Sequence, residues 1–136
     1  MTRTSRRRWR DVALATEALI LLIVGRILVL SVPLRRIVGW LGTDNGAMPA
    51  ADPLLIADLH WAMTAAGSRL PTRIACYERG IAACWMLHRR RLAAHFHYGV
   101  GKAGGQLAAH VWITSGAHDV TGCEIADQFC ELASFG

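Results

Sequence analysis

A cysteine, a histidine and an aspartate occur in this sequence at positions that suit a thiol nucleophile site. Cys76 opens an apolar helical pattern, His110 lies in a strand pattern 34 residues later, and Asp119 follows in the next strand candidate. A thiolate is a far better nucleophile than a thiol, and the free N–H groups in the first turn of a helix stabilise negative charge. Cys76 is therefore the predicted nucleophile, and its own backbone N–H is a candidate donor to an oxyanion.

The histidine supplies a base if its strand crosses the start of the cysteine-bearing helix. Ser115-Gly116 is predicted to be a two-residue hairpin turn between the two strand candidates. Strand side chains alternate with period two, so Asp119 would then point to the same side as His110 and orient its imidazole. A three-residue turn would place Asp119 on the opposite face, and Glu124 is then the alternative acid.

The remaining cysteines and histidines give no sign of a disulfide framework or a metal centre. The four cysteines contain no Cys-x-x-Cys pair: Cys76, Cys84, Cys123 and Cys130. His95 and His97 alternate in a strand candidate, but their spacing from the cysteines differs from that of structural zinc sites. We therefore expect free thiols in a reducing cytoplasm, a core position for Cys84, and no metal or cofactor.

Length and charge restrict the class of protein. With 136 residues, 53% of them hydrophobic and 18% charged, the chain suits one domain with a buried partner surface or a membrane contact. Residues 1–102 contain fifteen basic and six acidic residues, a net +9, and the rest carries −4. The arginine clusters, at residues 3–10 and 89–91, are expected to be a solvated face, because no nucleic-acid-binding motif accompanies them.

The N-terminal third is predicted to be a helical arm. The apolar segment Val12–Leu34 is long enough to suggest a membrane span, but it contains Glu17 and Arg26. A charge at the centre of a bilayer is costly, so we expect a buried or interfacial helix that ends before Pro33. A short helix and a turn-rich linker, Gly42–Ala51, would follow, which divides the chain into an arm (1–51) and a core (52–136).

The core is predicted to be α+β, with the cysteine-bearing helix packed on a small antiparallel sheet. Asp52-Pro53 suits the start of a helix that ends at Gly67, since Asp caps free N–H groups and Pro fits the first turn. The tail, with Ile125 and Phe129, would form a short helix or a further strand. The other predicted elements are a helix over Cys76–Arg90, strands over Ala94–Val100, Leu107–Thr114 and Ala117–Thr121, and a Gly-rich loop over Gly101–Gln106.

Three runs of residues together resemble the transglutaminase-like cysteine proteases of lasso-peptide biosynthesis. They are Leu70–Ala83, Ala109–Ile113 and Asp119–Glu124. The resemblance covers about Ala62–Phe135, and the arm around Leu34–Arg36 is also similar to the N-terminal region of that family. It implies a transglutaminase-like or papain-like core.

The resemblance also implies a function: leader peptidase, the enzyme that cuts the leader from a ribosomally made precursor. A separate ATP-using cyclase would then form the macrolactam, and a separate small recognition protein would deliver the leader. By family analogy Cys76 attacks the scissile carbonyl, His110 moves protons and Asp119 orients the histidine. Two alternatives stay open: a non-catalytic, membrane-associated adaptor that uses the apolar arm, and an acyltransferase in which an amine captures the acyl-enzyme.

Overall fold

The computed structural model describes residues 3–41 and 48–135. Among these residues, four α-helices precede the four strands of the sheet, and a 3₁₀ helix, Cys123–Gln128, precedes the last strand. The helices are α1 (Arg3–Ser31), α2 (Leu34–Leu41), α3 (Pro53–Gly67) and α4 (Cys76–Arg89), and the strands are β1 (His95–Ala103), β2 (Gln106–Ser115), β3 (His118–Thr121) and β4 (Cys130–Phe135).

Local capping chemistry sets the helix boundaries. The Asp52 carboxylate accepts a hydrogen bond from the Leu54 N–H at 2.7 Å, and Pro53 occupies the first turn of α3. Helix α1 ends at Ser31, two residues before Pro33, which lacks an N–H and disfavours a helical predecessor. The predicted start of α3 and end of α1 are therefore confirmed, as is the start of α4 at Cys76.

The four strands form one antiparallel sheet in the order β3-β2-β1-β4, and α4 packs on its centre. Phe96, Val111 and Ile113 are buried in the core shared with α4. A side chain in place of the Gly80 hydrogen would put a Cβ 2.8 Å from Val111 Cγ1, so glycine lets the helix approach the sheet this closely. The predicted α+β architecture, a cysteine-bearing helix on a small antiparallel sheet, is confirmed.

Two predicted connections are wrong. The segment predicted as the loop Gly101–Gln106 is mostly strand, because β1 and β2 extend to a two-residue turn at Gly104-Gly105, where both glycines have positive φ. The second turn lies one residue later than predicted, since Ser115 pairs with His118 and Gly116 takes the positive φ. Both alternatives for the tail occur in part, as the 3₁₀ helix and β4.

Helix α1 packs along the core. Leu14, Ala18 and Leu22 are buried in the same cluster as residues of α3 and α4. The Glu17 carboxylate accepts two hydrogen bonds from Arg90, at 2.9 and 2.8 Å, which lowers the pKa of Glu17. Most of the predicted linker, Gly42–Ala51, lies outside the described residues, so the division into an arm and a core stays a prediction.

One helix of the described residues is long and apolar enough, by length and composition alone, to cross a membrane. It is the Ser5–Ser31 part of α1, in which an 18-residue window has a mean hydropathy of 2.3, and 22% of that window is buried. The helix is therefore either membrane-associated or part of the soluble core, as the composition indicated.

Candidate active site

Cys76 and His110 line the same cavity, which has a volume of about 650 Å³. Cys76 is the first residue of α4, and His110 lies near the middle of β2. A thiol at a helix start and an imidazole across one cavity are the two groups that covalent acyl chemistry requires. The wall of the cavity comes from α3, the α3–α4 connection, β2 and the 3₁₀ helix, and includes Thr64, Ser68, Arg73, Arg79, Gly122 and Glu124.

A buried carboxylate fixes the start of the cysteine-bearing helix. Glu78 is only 6% exposed, and its Oε2 accepts a hydrogen bond from the Ala75 N–H at 2.9 Å. The carboxylate thus satisfies an N–H group that the helix leaves unpaired. This contact sets the backbone of the residue immediately before Cys76.

Arg26 of α1 reaches the same point from the other side. Its Nε donates to Glu78 Oε1 at 3.0 Å, and its Nη2 donates to the Arg73 carbonyl oxygen at 2.8 Å. The guanidinium therefore joins α1, the segment before Cys76 and the first turn of α4. Arg26 is the charge that argued against a membrane span in the sequence analysis. In the structure it stabilises the start of the cysteine-bearing helix. Sequence reasoning did not identify either partner.

The His110 ring is held by a backbone carbonyl and by aromatic rings. Its Nε2 lies 2.7 Å from the Gly122 carbonyl oxygen. A carbonyl can only accept a hydrogen bond, so Nε2 carries the proton and, in the neutral ring, Nδ1 carries the lone pair. Phe129 and Trp112 stack on the ring with centroids 4.9 and 6.0 Å away. The ring is therefore fixed in both orientation and tautomer.

Only glycine suits position 122 in this arrangement. Gly122 has φ +75°, a conformation that costs other residues free energy. A Cβ there would lie 2.7 Å from the Val111 carbonyl oxygen and 3.2 Å from His110 Nε2. The glycine thus brings its own carbonyl within hydrogen-bond distance of the histidine. A glycine directly after a strand candidate was the only sequence signal for this contact.

The two candidate acids lie in different places. Asp119 pairs with Thr114 across the β2–β3 ladder, and it lines a separate cavity with His60 and Trp61. Among the described residues, no hydrogen bond or ion pair joins its carboxylate to His110. Glu124 is exposed and lines the cavity of Cys76 and His110.

The other cysteines differ from Cys76 in their surroundings. Burial raises the pKa of Cys84 to about 12, and burial together with the charge of Asp119 raises the pKa of Cys123 to about 11. Both thiols therefore stay protonated at neutral pH. Cys130 is exposed on the edge strand β4. Of the four cysteines, Cys76 alone lies at the start of an α-helix, and it alone lines the cavity of His110.

The histidines considered as metal ligands in the sequence analysis make other contacts or lie apart from further ligands. His97 pairs through Nδ1 with Glu131 and through Nε2 with Thr114 Oγ1 at 2.8 Å, and its ring stacks on Trp112. Within residues 3–41 and 48–135, no group of three His, Cys, Asp or Glu side chains is arranged to hold a metal ion.

Comparison with known proteins gives one match. The model of the transglutaminase-like superfamily matches residues 19–134, from the middle of α1 to β4. Neither the curated proteins nor the solved structures include a significant match to the chain. The matched span contains Cys76, His110 and every element that positions them.

Proposed function

Because the chain belongs to the transglutaminase-like superfamily, whose chemistry is that of cysteine peptidases and acyltransferases, we propose that it is a cysteine peptidase. The proposed reaction is removal of the leader from a ribosomal precursor peptide during lasso-peptide maturation. The observation that carries the chemistry is that Cys76, at a helix start, and His110 line one cavity. The choice of substrate is supported by the resemblance of the three sequence runs to leader peptidases.

In the proposed reaction, His110 Nδ1 takes the proton of the Cys76 thiol. The thiolate attacks the scissile carbonyl carbon, and the backbone N–H of Cys76 stabilises the oxyanion. The C–N bond then breaks, His110 returns its proton to the leaving amine, and the leader remains attached as a thioester. Water attacks the thioester with His110 as the base, which releases the leader as a carboxylate and restores the thiol. One water molecule is consumed in each cycle.

The third member of a site of this kind orients the histidine ring and stabilises its charged form. The Gly122 carbonyl holds the His110 tautomer that this reaction requires, with the proton on Nε2 and the lone pair on Nδ1. Glu124, in the same cavity, can stabilise the imidazolium by its charge. Asp119 stays a prediction for this role, and its pairing with Thr114 places it two residues farther along β2 than the sequence predicted.

The partners in this proposal follow from the reaction. The precursor leader is the substrate, a separate recognition protein delivers it in the cytoplasm, and a macrolactam-forming cyclase uses the freed amine of the core peptide. The cavity suits a peptide, since it is about 650 Å³ in volume and is lined by polar as well as apolar residues. Arg73 and Arg79 on its wall favour a peptide segment that carries an acidic group.

The proposal is tested by the masses of the products. Purified full-length protein is incubated with a precursor peptide and its recognition protein, with and without a primary amine. We expect a leader and a core whose masses together exceed that of the precursor by one water. A leader that carries the added amine in place of water would show acyl transfer. A precursor that stays intact, while an authentic leader peptidase cleaves it under the same conditions, would contradict both reactions.

A Gly122→Ala variant tests the carbonyl that orients His110. The added methyl group would displace this carbonyl, so we expect kcat to fall about 10- to 100-fold with little change in KM, part of the contribution of positioned acid–base catalysis. The ¹⁵N shifts of the His110 ring, which report the tautomer, should change as well. Gly104→Ala is the matched control, since Gly104 also has positive φ but nothing lies within 4 Å of its Cβ position. Equal losses of kcat in both variants would show that backbone strain alone is responsible.

A further inference from the structure

Helix α1 presents a second apolar stripe on the side opposite the core. We define the outer stripe as Ile20, Ile23, Ile27 and Leu30, with Val12 and Trp9 continuing it toward the N-terminus. Their exposed fractions lie between 41 and 81%. The spacing of three and four residues keeps the four central side chains on one face of the helix. Contiguous apolar surface of this kind usually contacts a partner or a lipid.

The charges of α1 point away from the outer stripe. Between Val12 and Ser31 the charged residues are Glu17 and Arg26. Arg26 pairs with Glu78 of α4, and Glu17 pairs with Arg89 at the end of α4 and with Arg90 directly after it. At the N-terminal end, Arg10 pairs with Asp58 of α3 at 2.8 Å. The helix is therefore attached to the rest of the domain on its inner face, while its outer face is apolar.

These contacts exclude a spanning orientation for the folded protein. From Arg10 to Arg26 the helix rises about 24 Å, and it contacts α3 and α4 over this length. A helix perpendicular to the bilayer would carry those ion pairs and helices into the hydrocarbon, at a cost of several kcal/mol for each charge. A helix that lies in the plane of the membrane immerses only its outer stripe.

Basic and aromatic residues flank the outer stripe in sequence. Arg6, Arg7 and Arg8 are exposed before it, next to Trp9, and the first turn of α1 contains no acidic residue. Beyond its other end, exposed arginines and an exposed tryptophan occur on α2: Arg35, Arg36 and Trp40. Arginine and tryptophan at the borders of an apolar face are typical of helices that lie at an anionic lipid surface.

The charges also decide between a lipid surface and a second copy of the chain. Two copies of α1 paired in parallel would bring their arginine clusters together. Two antiparallel copies would place the residue 6–8 cluster of one beside the C-terminal half of α1 of the other, which contains no acidic residue. Lipid phosphates supply the missing negative charge, and each arginine near them contributes about 1 kcal/mol to binding.

We propose that α1 docks this protein on an anionic bilayer surface, with the outer stripe at the boundary of headgroups and acyl chains and Arg6–Arg8 at the phosphates. This inference rests on the exposed residues of α1 and α2 and is independent of the proposed reaction. The protein is then a peripheral membrane protein that is attached through its own first helix.

Vesicle flotation with the full chain tests the docking. We expect binding to vesicles of phosphatidylcholine with 30% phosphatidylglycerol, and at least tenfold weaker binding to phosphatidylcholine alone. An Ile20→Glu/Ile27→Glu variant should lose binding at least tenfold. Changing Arg6, Arg7 and Arg8 to Gln should weaken binding to the anionic vesicles about 100-fold. Leu107→Glu, on the 79% exposed Leu107 of β2, is the matched control and should bind like the wild type.

The results that would contradict membrane docking can be distinguished from unfolding of a variant and from one another. Unfolding of a variant is checked by circular dichroism, and the arginine variant leaves every buried residue unchanged. Equal binding by Ile20→Glu/Ile27→Glu and wild type, or no binding to anionic vesicles, would overturn the proposal. Resistance of the bound protein to alkaline carbonate would overturn it in favour of a spanning helix. A stable dimer that Ile20→Glu/Ile27→Glu dissociates, seen by light scattering without lipid, would overturn it in favour of a second copy.

Discussion

Cys76→Ala should reduce cleavage of the precursor to background, a loss of at least about 10⁴-fold in kcat, because removing the nucleophile of a covalent site removes the acyl-enzyme pathway itself. KM should change little, since the methyl group of alanine leaves the cavity walls in place. Single-turnover assays of the purified variant with precursor and recognition protein measure the residual rate. Intact-mass analysis should detect a leader thioester on the wild-type chain and none on the variant.

The other cysteines supply the controls for this experiment. Cys130→Ala changes an exposed residue on β4 and should keep the wild-type rate. Cys123→Ala removes a thiol whose pKa is raised to about 11 and which is therefore protonated at neutral pH. This variant should also keep the nucleophile of the reaction. Iodoacetamide should label Cys76 before Cys84 and Cys123, whose pKa values are raised, and should abolish cleavage in parallel. A Cys76→Ala variant that still cleaves, or a Cys130→Ala variant that does not, would place the nucleophile elsewhere.

The positions of Cys76 at a helix start and His110 in a strand were predictable from sequence because both depend on local patterns. The apolar spacing after Cys76 marks a helix start, and the apolar residues around His110 mark a strand. The place of Asp119 depended on one turn, and moving a two-residue turn by one residue shifts the partner of each β3 residue on β2 by two. Here the turn lies one residue later, and the ladder also shifts between Ile113 and Thr114. The sequence pattern predicts neither the later turn nor the shift in the ladder.

The contacts that position the site were harder to predict. Every residue has a carbonyl, so nothing in the sequence distinguishes that of Gly122 as the partner of His110. Arg26 and Glu78 are 52 residues apart, and their pairing depends on how α1 packs against α4. The helix boundaries, by contrast, follow from Pro33 and from capping by Asp52, which act within a few residues. Sequence therefore predicts the helices and strands better than the contacts between them.

The second large effect concerns stability. Glu78→Gln should lower the free energy of unfolding by about 2 to 3 kcal/mol, because it leaves the Arg26 guanidinium without its counter-charge in a largely buried position. This estimate lies below the 3 to 5 kcal/mol of fully buried pairs, since the Arg26 side chain remains 30% exposed. Urea denaturation followed by circular dichroism measures the change, and the melting temperature should fall by about 10 °C. Activity should fall too, as the same carboxylate holds the Ala75 N–H next to Cys76.

Asp58→Asn is the matched control for the Glu78 variant. Asp58 also pairs with an arginine of α1, Arg10, at 2.8 Å, but both side chains of this pair are exposed to solvent. Exposed pairs contribute about 0 to 1 kcal/mol, so this variant should stay close to the wild type. An Arg26→Met/Glu78→Gln double variant should recover part of the loss, since it no longer leaves a charge unpaired. If Glu78→Gln costs no more than Asp58→Asn, the Arg26–Glu78 pair does not hold α1 to the cysteine-bearing helix. Packing of Leu14, Ala18 and Leu22, with the pairs that Glu17 makes with Arg89 and Arg90, must then do so instead.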